Sequence, residues 1–148
     1  TFELPEKPGS PVDVGALIGR EPVVLLFFPL AFSPVCTEEM CHFRDQWSKW
    51  SSLQASLFGI SVDSPFVTER FRAAEGVPFP ILSDFNKDVS TAYDVLHEEL
   101  VGLKGVSKRS AFVIGADGTI VYSWQTDDPR VQVPFEELAT ALDGVGAR

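Results

Sequence analysis

Residues 23–28 read VVLLFF, an unbroken run of Val, Leu and Phe directly after Pro22. Side chains along a strand alternate between two faces, so a strand this uniformly apolar is stable only where both faces are covered. The run is a core strand and not a membrane span. Extended to Phe32 it reads VVLLFFPLAF, with Pro29 inside it, and falls well short of the roughly 20 apolar residues a transmembrane helix needs. The rest of the chain must therefore supply a layer for each face. With 148 residues, 45% of them hydrophobic, and with 12 Phe and 3 Trp, it has the apolar material to do so.

Those layers are visible as periodicities. Met40, Phe43, Trp47 and Trp50 recur at helical spacing and predict a helix from about Thr37 to Trp50. Glu38 and Glu39 stand in its first turn, where the helix dipole favours acids, and the same stripe extended back by one turn reaches Cys36. The stretch SLFGISVD, Ser56 to Asp63, reads as the next buried strand. Ser64 as N-cap and Pro65 at the first helical position open a helix to about Glu75, ended by Gly76. FPILSD gives a short strand near Ile81, and Asp88 to Val95 a short helix. AFVIGADGTIVYSW reads as two alternating strands around Asp117-Gly118, a hairpin signal, and Pro134 to Leu142 closes the chain as a helix. This order predicts an α/β fold: one domain over residues 1–148, with a mixed central sheet flanked by helices in the thioredoxin-like manner. No linker, internal repeat or low-complexity segment interrupts it.

The formal net charge of −9 repels a phosphate backbone, and the one basic cluster is Lys104, Lys108 and Arg109, so no nucleic-acid partner and no membrane are expected. Two cysteines do not make a disulfide framework and no signal-peptide pattern is present; a reducing cytoplasm is the expected setting. The chain opens on Thr1 without Met, so an upstream segment is expected to have been removed or left out.

The cysteines Cys36 and Cys41 lie at the strand-to-helix junction. A thiol is a nucleophile only as thiolate, and a helix N-terminus favours that form through its free N–H groups and dipole. Ser33 offers a hydroxyl that can donate to the sulfur or accept from an incoming O–H, and Pro29 walls the site from water. Arg109, at the start of the strand SAFVIG, supplies a fixed positive charge if that strand neighbours residues 23–28. Each residue also has a plain reading. Cys36 can be a small inert core residue, Arg109 a solvated charge, Ser33 a turn cap and Pro29 a strand end. A zinc module built from Cys36, Cys41, His42 and His97 is a further reading, although adjacent helical residues point about 100° apart and tetrahedral zinc needs four convergent ligands. His42 and His97 are expected at the surface. A thiol redox sensor is a third, without the usual Cys-x-x-Cys.

FFPLAFSPVC resembles the peroxiredoxin signature of Pro, three residues, Thr or Ser, two residues and Cys, filled by Pro29, Ser33 and Cys36. TFELP, GISVDSP, FPILSD and KRSAFVIGADGTIVYSW agree with the same family, and Arg109 falls on its active-site arginine. The resemblance implies a thioredoxin-like fold, a peroxidatic Cys36, and reduction of hydrogen peroxide or organic hydroperoxides without metal or organic cofactor, by a monomer or homodimer. Glu39, three residues after Cys36, is similar to the alkyl hydroperoxide reductase E group, which often lacks a resolving cysteine, and would orient Arg109. Cys41, five after Cys36, is similar to the peroxiredoxin Q (bacterioferritin-comigratory protein) group. There that position resolves the sulfenic acid as an intramolecular disulfide, recycled by thioredoxin or a glutaredoxin-like reductant. A one-cysteine enzyme resolved by an external thiol is the alternative. On a regular helix, residues five apart stand about 7.5 Å along the axis and about 140° around it, which separates the Cα atoms by roughly 8 to 9 Å. A disulfide tolerates about 7 Å, so closing one here requires the first turn to unwind.

Overall fold

The computed structural model describes residues 2–146; Thr1, Ala147 and Arg148, which the one-domain reading over 1–148 includes, lie outside the described residues. The VVLLFF run becomes strand β3 (Val23–Phe27), all five residues buried. Val23, Leu25 and Phe27 face one core with Phe58, Ile60 and Phe112, while Val24 and Leu26 face the other with Met40, Phe43 and Leu138. The two-sided covering demanded by the sequence is thus met.

Around β3 the elements follow in the expected order: α1 (Pro34–Asp45), α2 (Trp47–Ser51), β4 (Ser56–Ser61), α3 (Pro65–Glu75), β5 (Ile81–Ser83), α4 (Asp88–Ala92), β6 (Ser110–Ile114), β7 (Ile120–Gln125) and α5 (Phe135–Gly146). The sheet order is β5-β4-β3-β6-β7. β3 runs parallel to β4 and antiparallel to β6. This mixed sheet flanked by helices is thioredoxin-like, as predicted. Its register places Phe27 opposite Ser110, so the end of β3 and the start of β6 meet at one end of the sheet. Residues 28–36 and Arg109 emerge there together.

The helix expected over Thr37–Trp50 differs in two ways. It begins at Pro34, because a proline at the first helical position gives up only an N–H that would be free anyway, with Ser33 as N-cap. It also breaks at Gln46 (φ −108°, ψ 25°), leaving Trp47 and Trp50 on the separate helix α2. α3 ends as expected on Gly76, whose φ of 63° is costly for a residue with a Cβ. α4 stops at Ala92, short of the expected Val95, because Asp94 takes φ 55°. The hairpin turn uses Gly118 at φ 87°, with Asp117 Oδ1 accepting from the Thr119 N–H. Only β7 alternates in exposure; β6 lies inside the sheet and is buried throughout. An N-terminal hairpin, β1 (Glu3–Lys7) and β2 (Ser10–Asp13), has no counterpart in the sequence reading, since Pro5, Pro8 and Pro11 argue against strands.

Candidate active site

Cys36 is the third residue of α1, and its sulfur lies at the junction where the ends of β3 and β6 meet. The first intrahelical bond is Thr37 N–H to Ser33 O at 2.9 Å, so the N–H of Cys36 is left unused by the helix. Arg109, one residue before β6, donates from Nη2 to Cys36 Sγ at 3.0 Å and to Pro129 O at 3.1 Å. Its Nη1 donates to Glu39 Oε2 at 3.1 Å, and Glu39 Oε1 accepts from the Val133 N–H at 3.0 Å. Cys36, Glu39 and Arg109 are each 1% exposed. Burial pushes the Glu39 carboxyl up, and Arg109 and the Val133 N–H pull it back. Arg109 Nε is buried with no partner among the described residues.

Ser33 Oγ donates to Leu30 O at 2.8 Å. Its hydrogen is committed, so of the two capacities expected of this hydroxyl the fold leaves it an acceptor toward the site. Pro29 and Ser33 line a cavity of about 200 Å³ above Cys36, together with Leu30, Val35, Leu100 and Arg109. Five of the six predicted site residues, Pro29, Ser33, Cys36, Glu39 and Arg109, are thereby brought together. Cys41 is not among them. It leaves α1 toward α3, where Sγ lies 3.6 Å from Glu75 Oε2, and both cysteines are free thiols.

The remaining expectations fare unevenly. The two histidines are not surface residues. His97 is 6% exposed, and His42 stacks on Phe135 with ring centroids 3.6 Å apart. Burial pushes His42 down, which suits a neutral Nε2 accepting from Trp50 Nε1 at 3.3 Å. Among the described residues no three His, Cys, Asp or Glu side chains converge as metal ligands, and no helix is long and apolar enough to cross a membrane. The sequence reading missed Pro129 O and the Val133 N–H, which are backbone groups with no side-chain signature, as well as Leu100, Val101 and Glu75.

A thioredoxin-like sheet with a cysteine heading the helix after its central strand defines a thiol-based oxidoreductase. Residues 1–123 match the AhpC/TSA family. A Mycobacterium tuberculosis protein named as a peroxiredoxin is 38% identical over 120 residues, 81% of this chain and 77% of that one. One from Coxiella burnetii is 34% identical over 135 residues, 89% and 85% of the two chains. The crystal structure of peroxidoxin BcpB from M. tuberculosis superposes with a TM-score of 0.84 at 31% identity, covering 97% of this chain and 92% of that one. The bacterioferritin comigratory protein of Xanthomonas campestris gives 0.82 at 26%, covering 98% and 92%. The chain belongs to the AhpC/TSA family: it is a peroxiredoxin, a thiol-dependent peroxidase.

Proposed function

We propose that this peroxiredoxin, acting as a single domain in the reducing cytoplasm, reduces hydrogen peroxide and organic hydroperoxides at Cys36. Cys41 resolves the product as an intramolecular disulfide, and a thioredoxin or glutaredoxin-like dithiol regenerates the enzyme. One observation carries the first half of this reading: the guanidinium of Arg109 donates to Cys36 Sγ at 3.0 Å, so a fixed cation and a helix N-terminus meet at one sulfur.

The thiolate attacks the hydroxyl-bearing oxygen of the peroxide in line with the O–O bond. An S–O bond forms, the O–O bond breaks, and sulfur is oxidised to sulfenic acid. The other oxygen departs as alkoxide or hydroxide and takes a proton to give alcohol or water. Ser33 Oγ, its own hydrogen held by Leu30 O, accepts the peroxide O–H. The Cys36 N–H, which the helix leaves unused, and the guanidinium of Arg109, which lines the cavity, are the donors for the charge that moves onto the departing oxygen. Glu39 fixes the guanidinium through Nη1. Leu30, Val35, Leu100 and Val101 give the cavity an apolar wall suited to an alkyl group. Cys41 thiolate then attacks the Cys36 sulfenic acid: the S–S bond forms, the S–O bond breaks, and the hydroxide leaves as water.

A one-cysteine enzyme resolved by an external thiol is the second reading, favoured by the position of Cys41 against Glu75 and away from the site. For the first half of the proposal the test is Cys36→Ser, which is expected to abolish peroxide consumption in metal-free buffer while the protein remains folded. Substantial residual consumption contradicts the assignment.

A further inference from the structure

Cys41 is fastened in the folded helix. Its Sγ lies 3.6 Å from Oε2 of Glu75, the last residue of α3, an ordinary distance for an S–H donor. The carbonyl oxygen of the same Glu75 accepts from Arg44 Nη1 at 2.9 Å, and Arg44 stands one turn beyond Cys41 on α1. The Arg44 side chain lies across the end of α3, where its Cδ is 3.5 Å from the place a Cβ on Gly76 would take. Helix α1 is therefore tied to α3 at one residue by two bonds. One of them is made by the thiol that must leave for a disulfide to form.

We propose that Glu75 is a positioning residue for the second half of the catalytic cycle, latching Cys41 into α1 and so setting the rate at which the disulfide closes. The inference rests on the reading of Cys41 as the resolving cysteine. Cys36 points to Arg109 while Cys41 points to Glu75, so the two sulfurs meet only after α1 unwinds between them. In the latched helix the charged groups facing Cys41 are Arg44 and Asp45 of α1 and Glu75 of α3. Partial burial pushes the thiol up, Arg44 opposes this, and Glu75 and Asp45 add to the rise. Unwinding takes Cys41 away from that carboxylate into water, where the thiolate forms more readily. It attacks Sγ of the sulfenic acid; the S–S bond forms, the S–O bond breaks, and the departing hydroxide combines with the proton Cys41 gave up. A tight latch lengthens the life of the sulfenic acid, during which a second peroxide converts it to sulfinic acid.

The experiment compares the reduced full chain with Glu75→Ala, Glu75→Gln and Cys41→Ser in stopped flow with hydrogen peroxide, and measures the products by intact mass. Glu75→Ala is expected to speed the peroxide-independent closure phase about two- to tenfold, the range for losing one such hydrogen bond, with the peroxide-dependent phase unchanged. The peroxide concentration that converts half of Cys36 to sulfinic acid rises by the same factor. The pH profile separates a latch from a merely structural contact. Closure gains with pH until Cys41 ionises within the latched helix, and levels off above that point. Glu75→Gln removes the charge and lowers that point, so its closure rate levels off at a lower pH than that of the wild type. A change in closure of less than about 1.5-fold in Glu75→Ala, together with an unshifted plateau in Glu75→Gln, overturns the latch and leaves the role of Cys41 standing if Cys41→Ser abolishes closure. Closure that persists in Cys41→Ser overturns the resolving role and the latch with it.

Discussion

Replacing Arg109 by Met separates what this residue does for the fold from what it does for the chemistry. The guanidinium makes three bonds, to Glu39 Oε2 at 3.1 Å, to Cys36 Sγ at 3.0 Å and to Pro129 O at 3.1 Å, in a site where both members of the ion pair are 1% exposed. Methionine keeps an unbranched apolar stem and carries neither the charge nor the donors. Glu39 is then left with the Val133 N–H alone, and orphaning one member of a buried pair costs about 3–5 kcal/mol. Burial already pushes the Glu39 carboxyl up, so protonation relieves part of that cost and the lower end, about 3 kcal/mol, is expected. For a chain of this size that is a drop in Tm of about 6–12 °C. The rate with hydrogen peroxide is expected to fall about a hundredfold to a thousandfold, the usual effect of removing one preorganised donor. The double variant Arg109→Met/Glu39→Met tells the two losses apart. It removes the orphaned carboxylate and, beyond the Pro129 carbonyl that both variants leave without its donor, adds only the unpaired Val133 N–H, at about 1–3 kcal/mol, so stability recovers in part while the rate does not. Urea unfolding of the reduced protein and stopped-flow fluorescence measure the two quantities. A single variant within about threefold of the wild-type rate takes Arg109 out of the chemistry, and a double variant that regains the rate shows that the loss was structural.

Three further outcomes are expected. Trp50 Nε1 donates to His42, the residue after Cys41, so unwinding that frees Cys41 disturbs the indole: fluorescence should change in a peroxide-dependent phase and then a peroxide-independent one, and Cys41→Ser should retain only the first. Because burial raises the Glu39 carboxyl, acidification should protonate it above the ordinary carboxylate range, loosen Arg109 and lower the peroxide rate in that window; Glu39→Gln should be slow and flat there, and an unchanged acid limb would contradict the role. The same raised carboxyl binds its proton more tightly folded than unfolded, so its own contribution to stability is greatest at low pH and is lost as pH rises through the raised value. Leu100→Asn puts an amide on the apolar wall of the cavity and is expected to lower kcat/KM for a bulky organic hydroperoxide by about fivefold or more relative to hydrogen peroxide; equal effects on both would refute alkyl recognition there.

How far the sequence reaches depends on whether a feature is local. The β3 run could be read because continuous apolarity has one stable context, a strand covered on both faces, and VVLLFF has no other pattern. Arg109 required one step more, the antiparallel pairing of β3 with β6, which the element order allowed without dictating. The start of α1 was placed too late because the apolar stripe begins at Met40, while the boundary is set by Ser33 and Pro34. The β1–β2 hairpin was hidden by its prolines, which an edge pairing tolerates. His97 is buried through pairing of its own backbone with Val106, a tertiary matter with no local signal. The Cys41–Glu75 contact joins residues 34 apart and depends on how α1 meets α3, so neither residue announces the other.

The most direct measurement of the central claim is the intact mass of the reduced protein after one equivalent of hydrogen peroxide. The wild type is expected to lose two hydrogens as Cys36 and Cys41 join. Cys41→Ser is expected to gain one oxygen, as a sulfenic acid on Cys36, and Cys36→Ser to stay unchanged. Oxidation of Cys36→Ser to the same extent as the wild type, or a wild type that gains oxygen and never loses hydrogen, would contradict the account, the first outcome at the peroxidatic cysteine and the second at the resolving one.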